Sequence, residues 1–183
     1  LVATVRALKY HGGVALGDLS RPDVAAVERG LPNLEKHIES IHHFGKAPVI
    51  ALNRFDTDAS DEIDAIARCC ERLGAAFAVS DHFARGGAGA EDLARTVMSR
   101  AGESREAFVP LYPLEAPLPD KVLAVAQKMY GAREVVFTKA AARDLADIRR
   151  LGYESLPVCI AKTQNSLSDD PKLKGRPQAF EVT

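Results

Sequence analysis

The chain has 183 residues, 46% of them hydrophobic and 27% charged, the composition of an ordinary globular protein. Its net charge of −1 gives no electrostatic footing for nucleic acid or an acidic membrane surface, and no apolar stretch approaches the roughly 20 residues of a membrane span. Cysteines stand only at Cys69, Cys70 and Cys159, with no Cys-x-x-Cys, which argues against a disulfide framework and predicts a reducing, cytoplasmic setting.

The opening run LVATVRAL (residues 1–8) is β-branched and apolar and predicts a buried strand. It has no Met and no polar lead-in, so it reads as a strand cut from something longer and the chain as a fragment. KYHGG then predicts a loop in which Gly12 and Gly13 are free to take unusual backbone angles, with His11 beside them as a candidate functional histidine. NLEKHIESIHHFG (33–45) predicts a helix with Leu34, Ile38 and Ile41 on one face and Gly45 at its end. APVIALN (47–53) is a continuous apolar run, suited to a strand covered on both faces. Asp58 or Ser60 is placed to cap a helix running to Leu73, with Ile63, Ile66, Cys70 and Leu73 facing inward and Gly74 closing it. AAFAVS (75–80) predicts the next strand, and RGGAGAEDLARTVMSR a glycine loop running into a helix. The alternation predicts an α/β fold, a mostly parallel sheet with flanking helices on both faces.

The second half changes character. FVPLYPLEAPLP (108–119) carries four prolines, which exclude helix and disfavour a central strand, so it predicts an extended connector. Helices follow over about 120–130, stopping at Gly131, and about 140–151, stopping at Gly152. LPVCIAK predicts a buried strand, TQNSLSDDPKLKGRP a long polar loop, and AFEVT a last strand.

Ligands of open parallel sheets bind beyond the carboxyl ends of the strands. Three polar clusters stand at such ends: NRFDTD, SDHFARGGAG and KTQNSLSDD. In the first, Asn53 can donate and accept, and Asp56 or Asp58 can accept from a ring N–H, the pattern of a purine reader. A loop in which Asp58 merely caps the next helix fits the same spacing. In the second, Phe83 offers an aromatic surface, and Arg85 with the following glycines suits an anion, although a flexible turn accounts for them equally. In the third, Lys162 is placed to neutralise a carboxylate or phosphate; a solvated turn-rich loop is the alternative. Ser80, Asp81 and His82 are adjacent and do not converge as a triad must. No G-x-x-x-x-G-K-[ST] phosphate loop is present.

TVRALKYHGG, GLPNLEKHIESIHHFG, VIALNRFDTD, FARGGAGAEDLA and LPVCIAKTQNSLSDDPKLKGRP together resemble the later part of formate–tetrahydrofolate ligase, in the order of that family and over nearly the whole chain. The resemblance implies a P-loop-NTPase-related architecture that lacks its phosphate loop in this fragment. It implies ATP-dependent joining of formate to tetrahydrofolate, giving 10-formyltetrahydrofolate, ADP and phosphate through formyl phosphate. It further implies ATP with Mg2+, a monovalent cation (K+ or NH4+) and a homotetramer when intact, with catalytic residues upstream of Leu1. Residues 1–38 would close the nucleotide-binding domain and residues 39–183 would form the folate domain. Phe55 and Phe83 stand where the family sandwiches the pterin ring, with Asn53 and Arg54 shaping the strand end. Relatives usually carry Trp at the Phe83 position, Pro at the Asp56 position and an apolar residue at the His82 position. The readings to be separated are this ligase fragment, which would be inactive alone, a GTPase-like domain using Asn53 and Asp56, and a non-catalytic structural module.

Overall fold

The computed structural model describes residues 1–103, 105, 107–160 and 165–183. These form two compact units, Leu1–Phe108 and Val109–Thr183, divided within the proline-rich connector.

The first unit is built on a three-stranded parallel sheet in the order β1 (Val2–Ala3), β2 (Val49–Asn53), β3 (Ala76–Ser80). Ala3 lies opposite Leu52, Leu52 opposite Val79, and Asn53 opposite Ser80. The first strand is therefore far shorter than the apolar run predicts. Thr4 ends it, taking an extended conformation and accepting the Ala7 N–H on its hydroxyl at 3.0 Å. Helix α1 (Val5–His11) starts there. A capping threonine overrides the β propensity of its neighbours by satisfying a free N–H of the first turn. Val5, Leu8 and Lys9 are the buried face of α1, a 3- and 4-residue spacing that belongs to a helix.

Helix α2 (Val24–His42) begins nine residues before its expected start. Asp23 caps it by accepting the Ala26 N–H at 2.8 Å. Pro32 lies inside it and removes one backbone hydrogen bond, and packing holds the helix together across that gap. Position 38 falls within this helix, inside the first compact unit. Gly12 and Gly30 mark where α1 and α2 touch. A Cβ on Gly12 would drive into the Ala26 carbonyl, and one on Gly30 into the Leu8 carbonyl. Of the glycine pair, only Gly13 has a positive φ (95°). Gly12, at φ −81°, is required by close approach.

Helix α3 (Ser60–Arg72) joins β2 to β3. Its Ala65, Ile66 and Cys70 pack with Ile50 and Leu52 of β2 and with Val5, Leu8, Val27, Leu34 and Ile38 of α1 and α2. After β3 the glycine segment coils into helical turns, α4 (His82–Arg85) and a 3-10 stretch (Gly86–Ala90), before α5 (Glu91–Glu103) lies against β2 and β3. The expected loop is thus mostly helical. Backbone closure explains it: the Asp81 N–H donates to the Gly89 carbonyl at 2.8 Å.

The second unit carries α6 (Leu118–Val125), extended by a π turn to Tyr130 and stopped by left-handed Gly131. Then come β4 (Glu134–Val135), α7 (Lys139–Arg150) and β5 (Glu181–Val182), with β4 and β5 paired in parallel. The strand expected over LPVCIAK does not form in its described part. Residues 156–160 join no ladder, and Leu156 and Cys159 are exposed. Side chains take up some of its backbone groups instead: the buried Lys121 ammonium donates to the Leu156 carbonyl, and to that of Glu154 just before the segment, and the Tyr112 hydroxyl accepts the Val158 N–H at 2.8 Å. An apolar cavity of about 260 Å3 lies between α6 and α7, lined by Leu118, Phe137, Leu145 and Ala146 among others. No described helix is long and apolar enough to cross a membrane.

Candidate functional site

The register Asn53–Ser80 sets the carboxyl ends of β2 and β3 side by side. The Arg54 N–H donates to the Ser80 carbonyl at 3.0 Å and carries the pairing one residue past the strand. The segments that follow, 54–58 and 81–90, therefore leave the sheet from one edge. This is the place where parallel sheets build ligand sites.

Asn53 is half-buried as the last residue of β2, and Arg54 is exposed. Phe55 is half-buried, and one face of its ring is covered. The Arg6 guanidinium of α1 lies over it, with its central carbon 4.2 Å from the ring centroid. Arg6 also donates through Nη2 to the Thr57 hydroxyl at 3.2 Å. Phe83 is 85% exposed on α4, and no ring contact joins it to Phe55. Phe55 stands on the turn that follows β2 and Phe83 on the helix that follows β3. Arg85 is exposed at the end of α4. Ser80 Oγ lies 2.9 Å from His82 Nδ1, a local pair and no triad.

Asp58 does not cap α3. Its Oδ2 accepts the Phe55 N–H at 2.9 Å, and its own N–H donates to the Phe55 carbonyl at 2.9 Å, which closes the 55–58 turn on itself. The start of α3 is served by Glu62, whose Oε2 accepts the Ala59 N–H at 3.0 Å. Asp58 is buried, and its second oxygen has no hydrogen-bond partner. Burial raises its pKa above the usual carboxylate value, and nearby Glu62 adds to the rise against the opposing Phe55 N–H, Lys9 and Arg6.

Beneath the turn lies a buried ion pair that the sequence reading passed over. Lys9 Nζ meets Glu62 Oε1 at 2.9 Å, with side-chain exposures of 1% and 0%. Lys9 also donates to the Arg21 carbonyl at 2.9 Å, and Glu62 Oε1 accepts the Asp23 N–H at 2.8 Å. Burial alone would raise the Glu62 pKa. The Asp23 N–H, the Lys9 ammonium and the Ala59 N–H outweigh it, so the carboxyl is held below its ordinary value. One carboxylate thus ties together α1, the entry to α2 and the turn that carries Phe55.

The weaker candidates fall elsewhere. His11 ends α1 and packs edge-on against Tyr10, at 5.6 Å between ring centroids, in the α1–α2 corner where Arg29 Nε donates to the Gly12 carbonyl at 3.0 Å. Lys162 lies outside the described residues. Among the described residues no group of three or more His, Cys, Asp or Glu side chains is placed to hold a metal ion.

The model of the family described as "Formate--tetrahydrofolate ligase" matches residues 1–183. The chain belongs to the formate–tetrahydrofolate ligase family. It is 46% identical over 180 residues to the formate–tetrahydrofolate ligase of Renibacterium salmoninarum, covering 98% of this chain and 32% of that relative. The chain therefore spans about a third of the length of the curated relative it matches. The match runs through both compact units and includes the β2 and β3 ends.

Proposed function

We propose that the full-length protein joins formate to tetrahydrofolate at the expense of ATP, giving 10-formyltetrahydrofolate, ADP and phosphate through formyl phosphate. This chain supplies the pterin site and is inactive alone. The family match over residues 1–183 carries the reading. The pairing of Asn53 with Ser80 supports its local form, because it brings the Phe55 and Phe83 segments to one sheet edge.

The chemistry fits the parts. Formate is a poor acylating agent, and a mixed anhydride with phosphate gives its carbonyl a good leaving group. A weakly nucleophilic aryl amine of the folate can then attack. The task left to this chain is to hold the folate still. Phe55 is one wall of the pterin slot and Phe83 the other, because a flat ring gains from stacking and desolvation on both faces. Phe83 closes on the ring when it binds, from its exposed position in the free chain. Asn53 and Arg54 shape the strand end below. The chain has no phosphate loop, and its described residues form no metal-binding group, so none of them is assigned to ATP, magnesium or the monovalent cation. Residues 1–38 close the nucleotide-binding part in this reading, and the assembly is a homotetramer in the cytoplasm.

Steady-state kinetics of the full-length protein test the reading. Phe55→Ala removes a stacking partner worth about 1 kcal/mol, so the KM for tetrahydrofolate rises roughly fivefold while that for ATP stays within twofold. An unchanged tetrahydrofolate KM rules out the slot. Tight GTP binding through Asn53 and Asp56 with no folate effect rules out the ligase reading as a whole.

A further inference from the structure

We infer that Arg6 is a positioning residue for the folate ring: it occupies one face of Phe55, locks the turn that carries it, and leaves only the opposite face for the ligand. The inference rests on the reading of Phe55 as a pterin wall.

Three observations carry it. The guanidinium lies 4.2 Å from the Phe55 ring centroid, a stacking distance that leaves no room for a second ring on that side. The same guanidinium holds Thr57 through Nη2, two residues along the same turn. Arg6 comes from α1, which is anchored three residues later by the buried Lys9–Glu62 pair. The ring is thus held from outside its own loop. Phe55 alone, on a turn of four residues, would choose among rotamers; with Arg6 behind it, one orientation is kept before the ligand arrives. Preorganisation of this kind lowers the entropy cost of binding.

The arrangement also bears on which ring is chosen. A cation against one face of an aromatic ring draws electron density toward itself and leaves the other face less negative. That free face suits an electron-rich partner. The pyrimidine portion of a tetrahydropterin, carrying amino donors, is richer than the fully oxidised pteridine of folate. Arg6 therefore favours the reduced folate over its oxidised form.

Full-length Arg6→Met, Arg6→Lys, Thr57→Val and Phe55→Ala proteins test this. Arg6→Met keeps the stem and removes the planar cation. The KM for tetrahydrofolate is expected to rise about threefold, less than in Phe55→Ala, with the ATP KM and kcat within twofold. The ratio of the inhibition constant of oxidised folate to the KM for tetrahydrofolate should shrink at least twofold. Arg6→Lys restores part of the lost affinity, and Thr57→Val, at an exposed position, raises the tetrahydrofolate KM about twofold. If Phe55→Ala raises that KM and neither Arg6→Met nor Thr57→Val does, the positioning role is overturned and the pterin wall stands. If Phe55→Ala has no effect, the wall itself falls and Arg6 with it. Should Arg6→Met fail to fold, Arg6→Lys and Thr57→Val decide: an unchanged tetrahydrofolate KM in both overturns the inference.

Discussion

Replacing Glu62 by Gln should cost the first unit about 3 kcal/mol of stability. Three donors converge on this buried carboxylate: Lys9 Nζ at 2.9 Å, the Asp23 N–H at 2.8 Å and the Ala59 N–H at 3.0 Å. A carboxamide keeps one acceptor oxygen and turns an NH2 group toward the other donors. With the oxygen kept toward Lys9 and Asp23 it strands the Ala59 N–H, and the buried Lys9 ammonium loses its counter-charge and keeps only neutral acceptors, the amide oxygen and the Arg21 carbonyl. Breaking one partner of a buried ion pair costs about 3–5 kcal/mol, and the retained oxygen places this change at the low end. With a urea m-value of about 2 kcal/mol/M, the midpoint falls by roughly 1.5 M. Lys9→Met should fall by a similar amount, because Glu62 keeps its charge and only its two N–H bonds. The double variant Lys9→Met/Glu62→Gln removes both charges, so its loss should be smaller than the sum of the singles by about 2 kcal/mol. The acid limb gives a second check. Glu62 titrates below its ordinary value in the fold, so its contribution is complete above the unfolded value near 4.5 and is lost as pH falls through the lower folded value. Glu62→Gln should flatten the decline of the urea midpoint below about pH 4.5. A single-variant loss under about 1 kcal/mol, or strict additivity in the double variant, would refute the account of a charge pair that is costly only when half of it is removed.

Other outcomes follow from single contacts. Phe83→Trp enlarges an exposed aromatic that closes on the ring, so the tetrahydrofolate KM should drop about two- to threefold in steady-state assays, in line with a stacking gain of about 0.5 kcal/mol. Gly12→Ala should destabilise strongly in urea titrations, since its Cβ meets the Ala26 carbonyl. Gly13→Ala, with open space and a φ of 95°, should cost only about 1 kcal/mol. Burial raises the Cys69 thiol, and burial with the neighbouring Cys69 pushes the Cys70 thiol up to about 12. Alkylation of the native protein at pH 8, read by peptide mass spectrometry, should therefore modify the exposed Cys159 and spare both until denaturant is added.

The elements that sequence made legible are those whose burial and length agreed. APVIALN and AAFAVS are short apolar runs bounded by polar residues and glycine, and both are strands within two residues of their expected bounds. Ile66 and Cys70 face the core of α3 as their spacing requires. The misreadings share a cause: composition outweighed a single local hydrogen bond. LPVCIAK has strand composition, yet Lys121 takes up the Leu156 carbonyl and Tyr112 the Val158 N–H where a ladder would. The spacing of Leu34, Ile38 and Ile41 marks α2 only from residue 33, while the Asp23 cap starts it at Val24. Asp58 sits where a cap belongs, but the reciprocal bonds with Phe55 turn it backward and leave Glu62 to serve Ala59.

The site itself turned on the period assigned to residues 5–9. Read as a strand, TVRALK sends successive side chains to opposite faces, so Arg6 and Lys9, three apart, diverge. Read as a helix begun by Thr4, the same two residues share a face. The structure uses that face twice over one segment: Arg6 reaches Phe55 and Thr57, and Lys9 reaches Glu62. The segment that presents the ring wall is thus fixed by a helix some fifty residues earlier in the chain, a pairing that neither motif states alone. It follows that substitutions on the Arg6–Lys9 face should disturb the Phe55 turn without touching the ring. The exposed Ala7 lies between those two residues in sequence and off their face, so changes there should leave the turn intact.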